Sequence, residues 1–429
     1  MSHYHRAACA SLLLAGVIGT PFGAAAQSDD PDPSVSVADR SRPELDPLGI
    51  RAGSFFIFPS ITLSGTYDSN AFATSNNEDS DVGAILSPNI AVRSNWSRHA
   101  LNFSAGASGA AWAEYSENNY LDAFAATDGR LDVTRNDRLT ARLSIAREHD
   151  ARDDPDDTDT TTVGDSGDRG NLTRYYRGRL NGAYRHNFAR FFTVVGGGVQ
   201  RLVYDDIGDR EESRRDRWEY GPVGRLGYQV SPRIAAFVQG DYSWRWYNNS
   251  QFIDGEDQKR NNQGWRAAVG TEVDITDILF GEMSVGYEER DYDSDSFSDS
   301  SGFVANGSLT WNVTTLTSII LTAESGIDET TVVSDGSAAE GNLNNAVGLE
   351  VQHELLRNLL LNGTLGYARE DFQGAGRTDN TYEAGAGISY LLNRNFTLNA
   401  NYRFTKRDSD DSTEEFDRNI VLVGITARL

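Results

Sequence analysis

The chain has 429 residues, a formal net charge of −24 and a hydrophobic content of 38%. An acidic chain of this size is a poor nucleic-acid binder, because gripping phosphates needs a basic surface. Its single cysteine, Cys9, falls within residues 1–26, so the rest of the chain has no disulfide, thiolate nucleophile or cysteine metal site.

Residues 1–26 read as a secretory signal peptide. His3, His5 and Arg6 make a weakly basic start, an apolar run follows from Ala10 to Gly23, and Ala24, Ala25 and Ala26 supply small residues before Gln27. The run is too short to span a bilayer as a helix. Residues 27–52 are polar, with Asp29-Asp30-Pro31-Asp32-Pro33 and later Arg42-Pro43, and read as a flexible acidic periplasmic lead-in.

From residue 53 to Leu429 one pattern repeats. Stretches of ten to fifteen residues alternate apolar with polar or small side chains, which is the period of a strand. They end alternately in short turns, as at Asn95-Trp96-Ser97-Arg98, Ser231-Pro232-Arg233 and Leu356-Arg357-Asn358, and in longer acidic connections, as at 150–170, 205–216, 248–262 and 408–415. Short turns on one side and long loops on the other are the habit of outer-membrane barrels. The expected fold is therefore all-β: a transmembrane antiparallel up-and-down β-barrel of about eighteen strands, with sixteen to twenty compatible with the pattern. An even count leaves both termini periplasmic. A soluble sandwich would have to manage two long open edges that closure removes.

The alternation assigns faces. In one strand Phe396, Leu398, Ala400, Tyr402 and Phe404 oppose Thr397, Asn399, Asn401, Arg403 and Thr405; in another Val238, Gly240, Tyr242, Trp244 and Trp246 oppose Gln239, Asp241, Ser243 and Arg245. The apolar faces read as lipid-facing, and their Tyr and Trp residues suit the water–lipid boundary. The last strand shows the same parity: Val421, Val423, Ile425, Ala427 and Leu429 form an apolar face, and the strand is expected to close the barrel against one near residue 55.

No catalytic, cofactor or metal motif stands out. The phosphate loop, His-Glu-x-x-His and Gly-x-Ser-x-Gly are absent, and Gly196-Gly197-Gly198 reads as small residues in a crowded wall. His149 beside Asp150 is the one histidine expected near the outer rim. The polar faces are more informative. Arg142, Arg177, Arg179, Arg225, Arg245, Arg266 and Arg403 are expected to line the lumen, with Asp241, Glu272, Glu282, Glu288, Glu324, Glu350 and Glu383. So many inward charges imply a hydrated lumen. The bases cluster early and the acids late, which allows either a basic wall facing an acidic wall or pairwise salt bridges.

The opening Phe58-Pro59-Ser60-Ile61-Thr62-Leu63-Ser64-Gly65-Thr66-Tyr67-Asp68-Ser69-Asn70 and the following Leu86-Ser87-Pro88-Asn89-Ile90-Ala91 resemble the putative β-barrel porin 2 family, over roughly Gly53 to Leu429. That resemblance implies an eighteen-stranded outer-membrane barrel associated with exopolysaccharide or capsule export. It also implies a polysaccharide substrate and a periplasmic polysaccharide export protein as partner, beside the outer-membrane lipid and the barrel assembly machinery that any such barrel meets. No sugar-binding residue set is carried over. A general diffusion porin for ions or small nutrients stays open, and an inward constriction loop at 150–170 would favour it; so does a plugged structural or adhesive surface barrel. Outer-membrane barrels usually end in an aromatic residue and this chain ends in Leu429. Leu429→Phe is expected to assemble normally and Leu429→Asp to fail, as read by the amount of folded barrel in outer-membrane fractions; normal levels of the Asp variant would show that this end is no assembly signal.

Overall fold

The computed structural model describes residues 35–157, 170–208, 211–253, 256–275, 278–334 and 337–429. The segment read as a signal, the start of the lead-in, the turn at 276–277 and the stretch 158–169 lie outside them.

Each alternating stretch forms one strand. In chain order they are β1 (Phe55–Asp68), β2 (Asp81–Ser94), β3 (Ala100–Trp112), β4 (Tyr120–Asp132), β5 (Asp137–His149) and β6 (Arg174–Phe188). There follow β7 (Phe191–Tyr204), β8 (Arg217–Ser231), β9 (Ile234–Tyr247), β10 (Asn262–Ile275), β11 (Leu279–Tyr292) and β12 (Ser300–Thr314). The last are β13 (Thr317–Asp328), β14 (Gly341–Leu356), β15 (Leu359–Gln373), β16 (Arg377–Leu391), β17 (Phe396–Ser409) and β18 (Phe416–Arg428). Each pairs antiparallel with the next, and β18 pairs with β1 from Ser60↔Arg428 to Asp68↔Ile420, so the eighteen strands close on themselves. A short strand, Ile50–Ala52, folds back on Phe55–Ile57 through Gly53, whose positive φ of 62° suits a residue without Cβ.

Closure answers the edge problem, because every long strand finds a neighbour on both sides. Side chains sort by parity. Val195, Val285, Leu365 and Val423 are 58–62% exposed on the outside, and apolar side chains are exposed on every part of the wall. A continuous apolar belt of that kind is covered by lipid. Where Gly196 and Gly197 stand, an added Cβ would come within 2.6 Å of the carbonyl oxygens of Gly182 and Gly221, so the wall there is too close for any side chain.

The longest gap in the ladder lies between β12 and β13, beside two-residue gaps between β2 and β3 and between β8 and β9. β12 and β13 pair only from Gly307↔Ala323 to Thr314↔Thr317, leaving residues 300–306 bonded to β11 alone. The far half of β13 keeps its pairing with β14 and lies inside the wall: a Cβ on Gly341 would sit 3.1 Å from Tyr292 Oη and 3.2 Å from Ser300 Oγ, and one on Gly302 2.9 Å from the Leu343 side chain. The β13–β14 hairpin thus rests on the inner faces of β11 and β12.

Val423 sits mid-strand on the lipid face beside Gly65. Val423→Arg is expected to cost about 2–4 kcal/mol, read as a lower urea midpoint for unfolding in lipid micelles, whereas a substitution at lumen-facing Thr426 should leave the midpoint near its starting value.

Candidate functional site

The candidate site is the barrel interior. The fourteen charged residues expected there all lie on strands, at the parity opposite the exposed apolar side chains. Arg142 lies on β5, Arg177 and Arg179 on β6, Arg225 on β8, and Asp241 and Arg245 on β9. Arg266 and Glu272 lie on β10, Glu282 and Glu288 on β11, Glu324 on β13, Glu350 on β14, Glu383 on β16 and Arg403 on β17.

Their arrangement corrects the picture of two opposed walls. Arg225 contacts Glu282 at 2.7 Å and Glu272 at 3.2 Å, reaching across three strands. Arg266 meets Glu288 at 2.6 Å and Asp241 at 3.7 Å, and Arg290 meets Glu288 at 3.0 Å. Arg177 pairs with Glu148, while Arg179 donates to Gln200 Oε1 at 2.8 Å. The basic and acidic stretches are adjacent around the wall, so their long side chains neutralise one another locally. A buried charge is tolerated when paired and hydrogen-bonded, and the ladder pairs its charges while leaving Arg266 Nη1 and Arg290 Nε without a hydrogen bond. Alternation alone also reaches Glu148, Arg185, Arg217, Glu219 and Arg290, which share the ladder; Glu329 lies in a loop and no periodicity marks it.

The remaining lumen wall is different. From β15 through the β18–β1 seam to β3 the mid-strand inward positions are mainly Asn, Ser and Thr. Thr62 and Thr426 hydroxyls lie 2.9 Å apart across the seam, Asn399 Nδ2 donates to Thr426 Oγ1 at 3.3 Å, and Ser389 Oγ donates to Asn399 Oδ1 at 3.0 Å. On the other side of the seam Ser87 and Ser108 hydroxyls are 3.2 Å apart. The lumen thus has a densely charged, paired part and a part that is mainly hydroxyl and amide, where Glu383 and Arg403 are the mid-strand charges.

At the long-loop end the opening is crossed. Segment 150–157, the described part of the longest connection, turns inward. Asp150 pairs with Arg215 at 2.7 Å, Arg152 Nε donates to Asn118 Oδ1 at 2.8 Å, and Asp153 lies 3.6 Å from Arg418 on β18. Asp156 accepts the Thr330 hydroxyl at 2.8 Å and the Thr331 N–H at 2.7 Å. These anchors lie on well-separated parts of the rim. The β13–β14 loop enters beside it. Glu329 accepts from Arg245 at 2.6 Å, Asn262 at 2.8 Å and Tyr247 Oη at 3.0 Å. Burial pushes the Glu329 carboxyl up, but Arg245, Arg290, Arg217 and Arg260 outweigh it and hold it at about 2. Burial, with Asp150 and Asp156 alongside, raises the Asp154 carboxyl well above the usual range against the opposing pull of Arg215.

The short-turn end carries a strap. The lead-in, expected to be a flexible linker over 27–52, is packed over its described part. Val37 is fully buried and its N–H donates to Ser318 Oγ at 2.8 Å; Ala38 N–H donates to Gln352 Oε1 at 3.0 Å. Arg42 forms a buried pair with Glu354 at 2.7 Å, and Arg394 and Arg428 donate to the Glu44 and Leu45 carbonyls. Polar composition concealed this, because the strap is held by side-chain bonds to the wall and by one small apolar anchor.

The rim histidine ends β5 at the long-loop side, as expected, and makes its contacts with β4. His149 Nδ1 lies 2.9 Å from Asp122 and its ring stacks on Tyr120, while Asp150 turns to Arg215. Among the described residues no cluster of three or more His, Cys, Asp or Glu could hold a metal ion.

The profile described as putative beta-barrel porin 2 matches residues 42–429. The chain belongs to that family. Its barrel is porin-like and of the outer-membrane type. Among solved structures it is similar to the copper transporter OprC, at 11% identity and a TM-score of 0.48 over 89% of this chain and 81% of that one. It is similar also to OpdK of Pseudomonas aeruginosa, solved with vanillate, at 10% identity and a TM-score of 0.44 over 87% and 99%. OpdL of the same organism matches at 12% identity and a TM-score of 0.42 over 88% and 100%. No curated protein sequence matches the chain.

The crossing segment should respond to pH through Asp154. A carboxyl whose pKa is raised in the docked state stabilises that state when protonated, and the stabilisation is lost as pH rises through the raised value. Open-channel probability in planar bilayers is expected to fall as pH is lowered from about 8 to about 4, the side of the usual carboxyl range on which a raised group takes up its proton, and to be flat in Asp154→Asn; equal pH responses of the two proteins would refute it.

Proposed function

We propose that the barrel is an outer-membrane conduit through which a secreted polysaccharide, exopolysaccharide or capsule, leaves the cell, its short-turn end and both termini in the periplasm. The observation that carries this reading is the mainly hydroxyl-and-amide wall running from β15 through the seam to β3, represented by Thr62, Ser87, Asn362, Asn399 and Thr426, with Glu383 and Arg403 its few mid-strand charges. Hydroxyl and amide groups exchange hydrogen bonds with a hydroxyl-rich chain at nearly the strength of water, so such a wall exacts little desolvation from a passing polymer. The paired charges opposite leave few unneutralised ions to trap it. The family resemblance supports the same substrate class. The mechanism is conduction, with no bond made or broken, and the segment 150–157 must be displaced for a polymer to pass. A periplasmic polysaccharide export protein would engage the short-turn mouth, where the strap lies.

One observation favours a second reading. An inward segment at 150–157 is the arrangement expected of a size-selective diffusion pore for ions or small nutrients. Deleting the gene separates the two. Under the leading reading, secreted polysaccharide falls to background and returns with the wild-type copy, but not with Asn362→Leu/Asn399→Leu/Thr426→Val, provided that variant reaches the membrane folded. Normal secretion in the deletion strain rejects the leading reading, and swelling of reconstituted liposomes in small sugars would then assign the barrel to diffusion.

A further inference from the structure

We infer that the β13–β14 hairpin is a movable element that re-enters the wall: segment 324–328 moves from the lumen to pair with residues 300–306 of β12, opening the pore. The inference rests on the lumen being a conducting path and is independent of which solute passes.

Three observations carry it. The first is the interrupted ladder. Residues 300–306 pair with β11 on one edge, and on the other the pairing with β13 stops at Gly307↔Ala323. An unpaired strand edge inside a bilayer is costly, because lipid offers its N–H and C=O groups no partner. At the break the Asn306 side chain takes the place of a backbone neighbour: its Nδ2 donates to Ser325 O at 3.0 Å and its Oδ1 accepts the Ser325 N–H at 3.3 Å.

The second is that the missing pairs are written into the sequence. Extending the existing register without a shift sets Ala305 opposite Ser325, Val304 opposite Gly326, Phe303 opposite Ile327 and Gly302 opposite Asp328. That places Ile327, now buried, beside Phe303, which is 81% exposed on the lipid face. It turns Asp328 into the lumen. Parity suits a transmembrane strand at Phe303, Ile327, Gly302 and Asp328, and Ser325 is the one polar side chain set on the lipid face.

The third is the quality of the present packing. Tyr292 Oη and Ser300 Oγ lie buried under the hairpin with no hydrogen-bond partner, as does Asp328 Oδ1 on the hairpin itself. Buried polar atoms left unbonded disfavour the state that buries them. The hairpin is held in near its tip: Glu329 against Arg245, Tyr247 and Asn262, Thr330 and Thr331 against Asp156, Arg245 and Arg260 donating to the Ile327 and Ala339 carbonyls, and Val332 and Ala339 packed on Phe372. The crossing segment and the hairpin therefore latch one another, and release of one frees the other.

Two cysteine pairs test this in a chain otherwise without cysteine after residue 26. Ser300→Cys/Gly341→Cys locks the hairpin in, since a Cβ on Gly341 lies 3.2 Å from Ser300 Oγ, within disulfide reach. Ala305→Cys/Ser325→Cys locks it in the wall as cross-strand neighbours. The readouts are crosslinking yield in native membranes and single-channel conductance, with heat-modifiable gel mobility reporting that each variant is folded. Oxidation of the first pair should abolish the large open state and reductant restore it; oxidation of the second should give a channel that stays open. Failure of folded Ala305→Cys/Ser325→Cys to crosslink overturns the proposal, as does unchanged conductance after full crosslinking of either pair. Crosslinking yield reports the hairpin whether or not polysaccharide is carried, so loss of secretion with normal exchange between the two links would count against the export route alone.

Discussion

A bilayer interior offers no water to backbone N–H and C=O groups, and the whole molecule follows from that constraint. Eighteen strands pair in sequence until the last meets the first, and the seam between Ser60–Asp68 and Ile420–Arg428 completes the sheet. Once the sheet is closed, every strand has one side committed to lipid and one to the interior. The outside must then be apolar all the way round, and all polar chemistry is driven into the lumen.

Within that lumen, charge creates a second requirement. Arginines and carboxylates held in a narrow wall need partners, and the Arg225–Glu272–Glu282 and Arg266–Glu288–Arg290 groups supply them across neighbouring strands. Such pairs stiffen one half of the wall. The other part, built mainly from Asn, Ser and Thr, has weaker and exchangeable bonds. The molecule therefore combines a fixed side with an accommodating one, and its closing segments at the long-loop end are anchored to both.

Much of this was legible from a period of two. Val421, Val423 and Ile425 face lipid and Arg225, Glu282 and Glu288 face inward because strand geometry leaves no other choice. Alternation says which face a side chain takes, but not which side chain it will meet. That Arg225 reaches Glu282 depends on the stagger of four strands, and the two-wall picture failed on that point. The break between β12 and β13 is equally silent, since Phe303 and Ile327 keep the parity of an intact wall. Loop residues such as Glu329 and strap residues such as Val37 carry no periodic signal, and only the fold reveals what they touch.

The strap has a consequence for the order of events. Residues 35–45 come before the first barrel strand, yet the groups that hold them, Asn312, Ser318, Gln352, Glu354, Arg394 and Arg428, belong to the last third of the wall and to its final residue but one. The earliest described part of the chain therefore rests on residues made late. Its anchors are spread from Asn312 on β12 to Arg428 on β18, so the strap ties together strands of the last third of the barrel that are not neighbours.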